Sequence, residues 1–521
     1  RALFLTGLLL ATLLRAAVAQ GGAAEGGAGE GNAAQGSAAR DVAALLRAHQ
    51  WEAAMQAAGR YADPVARKVV LFERLLTPGA GSAAEIAAFL AESPDWPLGR
   101  QLALRRDQAL ATTPDDAEVR ALCPEAALAP ALLRCAEAFE AAGLTAQATA
   151  DRRRAWTSGL ATPEAETAFL ARYGGVLDAE AHWRRFLHLL GQDAATTRQL
   201  SRLDPPHRAL AEAILALRRG EARAAPLLAA VPPGLRAQPA LVLEQLRWLR
   251  RSDRLAEAVA LWRAEGERAQ SEAGAAMPGA EAAAAWAAER QHLARRLLAT
   301  GDAMGAYGLL AGAAGDSETA FLAGWIALRR IADPAAAYRH FAFLARESEA
   351  AITQGRAHYW MGRALAAAGD LQGARTQFTE GARWLTTYYG QLSALALGDD
   401  PAALDARLAG LRDPAWDPAD ALTFASRELA RAAGFLCLWG DTAQARLFLL
   451  RLQDLVPAPA DRAMTARLAA GLGLVDQSVA IARRAGRDGV MLPQLGWPAP
   501  FQPPGRDARE PGDPDHRSRD Q

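Results

Sequence analysis

The stretch Arg356–Gly398, RAHYWMGRALAAAGDLQGARTQFTEGARWLTTYYGQLSALALG, constrains the chain more than any other. Ala357, Trp360, Met361, Ala364, Leu365 and Ala368 recur at three- and four-residue steps, which is one face of an amphipathic helix. Gly369-Asp370 then supplies a stop and a start. Glycine accepts the left-handed conformation past a helix end, and aspartate caps the helix that follows. A second stripe runs through Leu371, Ala374, Phe378, Ala382 and Leu385, and the dense run Thr386–Leu392 closes the unit. Neither helix of such a hairpin can bury its stripe alone, so the pair needs neighbours of its own kind.

Those neighbours show as a period. Gly301-Asp302, Gly369-Asp370 and Gly440-Asp441 are spaced 68 and 71 residues apart, close to twice the roughly 34 residues of a tetratricopeptide repeat. Gly362, Leu365, Ala374 and Phe378 fall at the small and bulky positions of that repeat. Ala323-Gly324 with Ala327 and Phe343 is a looser copy, and Gly434 with Trp439 and Ala443 is another. Ala, Leu and Arg dominate a composition that is 51% hydrophobic, and strand-rich runs are scarce. The expected fold is all-α: a superhelical solenoid of tetratricopeptide-like helical hairpins, curved or ring-shaped.

Residues 1–19 read as a secretory signal peptide, with a short apolar run over Ala2–Leu14 and the small-residue pattern Ala17-Val18-Ala19 before Gln20. The run is shorter than the roughly 20 residues that span a bilayer, so the expectation is an exported, periplasmic protein with no transmembrane anchor after cleavage. A Gly/Ala-rich flexible leader is expected over 20–40. An α-superhelical domain is expected over 41–400, anchored by Trp51, Phe72, Leu76, Trp156, Phe169, Leu170, Trp183 and Phe186. A helical linker-type domain follows over 401–497, opened by the Pro/Asp-rich joint Pro401–Pro418. The tail 498–521 is charged, Pro-broken and expected to be disordered.

Little chemistry converges in the sequence. Acids and bases balance at 58 each, which gives no global reason to expect nucleic acid as a partner. No Gly-rich loop ends in Lys-Ser/Thr, and Lys68, the single lysine, sits in no such context. His182 and His188 are six residues apart without a His-Glu-x-x-His pattern, and no nucleophile elbow occurs, so no metal, cofactor or catalytic residue is expected. The paired acids Glu347/Glu349 and Asp399/Asp400 read as solvated surface. In an oxidising compartment Cys123 and Cys135 can pair across a helix–helix turn, the alternative being buried thiols. Tyr359, Trp360, Trp384, Tyr388 and Tyr389 form an aromatic cluster. Tyr359, Trp360, Tyr388 and Tyr389 are its candidates for stacking on sugar rings, with packing between hairpins as the other reading.

The runs AHYWMGRALAAAGD at 357–370 and TTYYGQLSALALG at 386–398 resemble the large soluble lytic murein transglycosylases. FLAGWIALRR at 321–330, HFAFLA at 340–345 and ARRAGRDGVMLPQLGWPAP at 482–500 carry the same resemblance, which extends more weakly from about Asp41 to Pro500. It implies an exported, peptidoglycan-associated superhelix curled into a ring, followed by a lysozyme-like domain. There a single Glu cleaves MurNAc-GlcNAc strands to 1,6-anhydro products, first as acid and then as base. The family's Arg-Gln-Glu-Ser-type motif is expected some tens of residues after Gly496-Trp497-Pro498. Only 24 residues follow Trp497 here, none matching, so no catalytic residue carries over. Gly512–Ser518 can be encoded so that a one-base shift reads Ala-Ile-Leu-Thr-Ile-Ala-Arg, which suggests a frameshift after Gln502. The leading expectation is a truncated, non-catalytic ring that binds peptidoglycan glycan strands and, with them, cell-wall proteins. The rival is an exported helical-repeat adaptor that binds protein partners.

Overall fold

The structure is a computed structural model, and it describes residues 39–160, 162–276, 280–312 and 316–497. The signal-peptide reading, most of the leader and the frameshifted tail lie outside the described residues. Within them the chain is helical, with no strand, and no helix is long and apolar enough to cross a membrane.

The three Gly-Asp pairs behave alike. Gly301, Gly369 and Gly440 have φ of 90°, 87° and 87°, the left-handed region that favours glycine. The following aspartates cap the next helix, accepting from the backbone N–H of Gly305 at 2.7 Å, Gly373 at 2.8 Å and Gln444 at 2.9 Å. Prolines 205, 334, 401 and 459 open helices, where a missing N–H costs nothing.

The central hairpin comprises Ala351–Ala367 and Leu371–Gly381, with a third helix, Tyr388–Leu397, completing the packing. Gly362 lets the two helices meet: a Cβ there would stand 2.6 Å from the Phe378 ring. In the preceding copy Gly324 plays the same part against Phe341, not Phe343, which is only half-buried two positions on. Leu371 also departs from its expected place. As first residue of its helix it projects into solvent, 72% exposed, while Ala374, Phe378, Ala382 and Leu385 are buried. The joint is narrower than Pro401–Pro418 suggests. Pro401–Ala409 is a helix whose Leu404 and Leu408 pack with Ala382 and Leu385, and only 411–417 is irregular.

Buried sets follow one another along the chain, centred in turn on Trp156, Phe186, Trp262, Phe341 and Phe378. Then the succession returns to its start. Residues 421–495 share one core with residues 39–102, so the solenoid closes into a ring. At this seam the rings of Phe72, Trp96 and Phe448 meet with centroids 5.0–5.4 Å apart. Polar ties flank them: Asp63 with Arg431 at 2.8 Å, Lys68 with Glu428 at 2.5 Å, and Arg451 donating to the Asp95 carbonyl at 3.0 Å. Of the expected anchors, Phe72, Leu76, Trp156, Phe169, Trp183 and Phe186 are buried. Trp51 and Leu170 are only half-buried.

Candidate functional site

The aromatic cluster divides. Tyr359 is 9% exposed and its ring lies 5.6 Å from Trp360, 5.9 Å from Phe378 and 5.6 Å from Tyr389. Its hydroxyl accepts from Arg363 Nη1 at 2.9 Å. Trp360 reaches back to Phe321 and Phe341, so it joins two successive hairpins. These rings glue the solenoid, as helically spaced aromatics usually do. Tyr388 is different: it is 69% exposed, and its ring meets that of Tyr389 in an edge-to-face arrangement at 5.2 Å. The Thr387 hydroxyl caps the helix by accepting from Gly390 N–H at 3.1 Å, and it packs so closely on Gly355 that a Cβ there would come within 2.7 Å. Of the four candidate sugar-stacking residues, Tyr388 is the one that is mostly exposed.

The end of the described chain is fixed to the same region. Gln494 N–H donates to Asp413 Oδ1 at 2.9 Å, and Thr386 Oγ1 lies 3.5 Å from Met491 Sδ. Gly489, at φ 75°, passes so near the Glu349 carbonyl that a Cβ would sit 2.8 Å from it.

The other candidates separate into structural roles. Cys123 and Cys135 are bonded to each other with Cα atoms 5.7 Å apart, and the Asp151 carboxylate lies within 4.8 Å of both sulfurs. Glu347 pairs with Arg346 at 2.8 Å, and Glu349 is exposed. Asp399 pairs with Arg407 at 2.6 Å, and Asp400 caps the Pro401 helix. His182 packs edge-on to Trp156, and burial holds its imidazole below the usual range, whereas His188 is exposed beside Gly159.

One group went unnoticed in the sequence. Glu73 lies in a cleft of about 530 Å³ at the seam, and burial, reinforced by repulsion from Asp441, pushes its carboxyl up to about 7. Its sequence neighbours Phe72 and Leu75 face the core, but Asp441 is far along the chain, and only ring closure brings the two acids together.

The fold is a closed α-solenoid ring. Among solved structures it is similar to the lytic transglycosylase Slt of Pseudomonas aeruginosa, crystallised as an inactive mutant, with a TM-score of 0.53, 19% identity and coverage of 94% of this chain and 72% of that one. The 70-kDa soluble lytic transglycosylase in complex with bulgecin A also aligns, at a TM-score of 0.46 and 17% identity over 90% of this chain and 72% of that one. No family model and no curated protein matches the sequence. The likeness to Slt establishes a shared fold, extending through the ring and its closing helices.

Proposed function

We propose that this chain is the ring-forming part of a large soluble lytic transglycosylase, exported to the periplasm, where it holds peptidoglycan glycan strands. The observation that carries the reading is the Slt-like fold over 94% of the chain, joined to the motifs at 357–370, 386–398 and 482–500 that suggested the same family from sequence. The solenoid orders a continuous surface, and Tyr388 offers a sugar-stacking face on it. In this reading the described residues bind and position the strand; of the acids singled out in the sequence, Glu347 and Asp399 are ion-paired, Asp400 caps a helix and Glu349 lies on open surface.

The test is co-sedimentation of the 521-residue polypeptide with purified sacculi, followed by analysis of the released sugars. Retention on sacculi without anhydromuropeptides is the expected result. Failure to sediment, with protein partners co-purifying instead, would favour the adaptor reading, and release of anhydromuropeptides would overturn the non-catalytic assignment.

A further inference from the structure

Three unlike side chains converge in the core around Trp156. Cys123 opens the short turn after the helix Asp116–Leu122, Cys135 stands inside Ala129–Ala141, and Asp151 inside Thr145–Ser158. All three are buried, and their two sulfurs and one carboxylate oxygen lie within 4.8 Å of one another. Among the described residues no other group of three potential metal ligands comes so close together. Their spacing hides them in the sequence: 12 positions separate the cysteines, and the aspartate comes from the next helix. Arg154 Nη1 donates to Asp151 Oδ1 at 2.8 Å and its Nη2 to the Ala126 carbonyl at 2.6 Å, which fixes the carboxylate. With Leu132 and Ala150, Arg154 also lines an open cleft of about 870 Å³, so solvent reaches the edge of the cluster.

In the oxidised chain the two sulfurs are bonded to each other and offer no thiolate. We propose that the reduced chain holds one zinc-class divalent ion on Cys123, Cys135 and Asp151, a metal link in place of the covalent one. A dithiol reductant passes two electrons and two protons to the S–S bond, becoming a disulfide itself and leaving two thiols. Zn²⁺ then displaces both thiol protons and forms two Zn–S bonds and one Zn–O bond, with water in the fourth position. Zn–S bonds of about 2.3 Å set tetrahedral sulfurs about 3.8 Å apart, a separation that side-chain rotation reaches once the S–S bond is open. Thiolate ligands select zinc or cadmium over magnesium and calcium. Two thiolates and a carboxylate carry three negative charges, and the ion with Arg154 carries three positive ones, so the buried cluster is neutral. Either link ties the same two helices together. The proposal is independent of glycan binding.

The probe is Co²⁺, whose absorption reports its ligands, added to the full chain after reduction by a dithiol and removal of that dithiol under argon. The expected result is uptake of one equivalent, with thiolate charge-transfer absorption in the near ultraviolet and the visible bands of a tetrahedral centre. Zn²⁺ bleaches both and raises the Tm of the reduced chain, restoring any helix signal lost on reduction, while the oxidised chain gives none of these changes. Cys437→Ser, which removes the third thiol, binds like the wild type. Cys123→Ser and Asp151→Asn each weaken the affinity by about tenfold or more, at least the effect of losing an outer-sphere partner. The Tm of oxidised Asp151→Asn, with its disulfide intact, shows that this variant folds. A reduced chain that takes up no stoichiometric Co²⁺ would overturn the proposal. So would spectra and affinity that either Cys123→Ser or Asp151→Asn leaves unchanged.

Discussion

Trp96 and Glu428 lie 332 positions apart in the chain and share a hydrogen bond of 2.7 Å, indole N–H to carboxylate. The same carboxylate meets the Lys68 ammonium at 2.5 Å, and that ammonium stands 5.0 Å from the centre of the Trp96 ring. This triangle covers the aromatic contacts of Phe72, Phe89 and Phe448 with Trp96. The apolar rings supply most of the stabilisation, since a partly exposed ion pair contributes at most about 1 kcal/mol. The polar atoms fix which faces meet.

Phe448→Ala is therefore expected to destabilise the protein by about 3–5 kcal/mol, the usual cost of truncating a fully buried aromatic, and to loosen closure first. Lys68 is the chain's single lysine, so acylation by an amine-reactive ester, read by mass spectrometry, reports the seam directly. Labelling of Lys68 should accelerate in the variant under conditions where the rest of the helix signal persists. Unchanged labelling would mean that closure does not rest on this core.

Glu73 makes stability pH-dependent in an unusual direction for a carboxylate. Its pKa rises from 4.5 to about 7 on folding, so the folded state takes up the proton more readily than the unfolded one. The favourable contribution is fully present below about pH 4.5 and is lost as pH rises through 7, a swing of about 3 kcal/mol. Urea denaturation of the wild type should give a lower midpoint at pH 8 than the Glu73→Gln variant. Near pH 5 the two should differ little.

The hairpin was legible because its signals are local. Gly369 and Asp370 announce a turn and a cap within two residues, and Gly362 and Phe378 lie only 16 positions apart. The seam was not. Nothing in the sequence around Phe72 or Phe448 says that each will cover the other, because apolar spacing marks a face without naming its partner. The same limit hid Glu73 and left Trp51 among the expected core anchors, although it lines a cleft. Tyr388 and Tyr389 are adjacent and chemically identical, so composition could not tell which is presented to solvent. The helix start at Thr387 decides it.

Gly362→Val should cost about 1–3 kcal/mol by overpacking against the Phe378 ring. Adding Phe378→Leu should return part of that loss, because the clash is with the ring itself. Thermal unfolding of the two single variants and the double variant measures the coupling, and simple additivity would show that the two side chains do not meet.

Thiol titration should find a single reactive cysteine, and that only after unfolding. Cys437 is half-buried, and burial pushes its thiol up to about 11, so it reacts slowly in the native protein. Cys123 and Cys135 should appear only after reduction, which is expected to lower stability by about 2–4 kcal/mol. Three thiols in unreduced, unfolded protein would exclude the pairing.

Tyr388→Ala should leave the Tm nearly unchanged, as expected for a ring 69% exposed, while reducing retention on sacculi. Tyr359→Ala should do the reverse at first order, lowering stability by about 3–5 kcal/mol through the loss of a buried ring. Equal retention by wild type and Tyr388→Ala would remove Tyr388 from the proposed glycan surface.

Closure also has a consequence in time. A ribosome delivers Phe72, Phe89 and Trp96 several hundred residues before Phe448 exists, while the intervening hairpins are able to fold as they emerge. For that whole interval of synthesis the first aromatic face is finished but uncovered. The last helices act as a lid on the first. The period between them is when this protein most needs a chaperone.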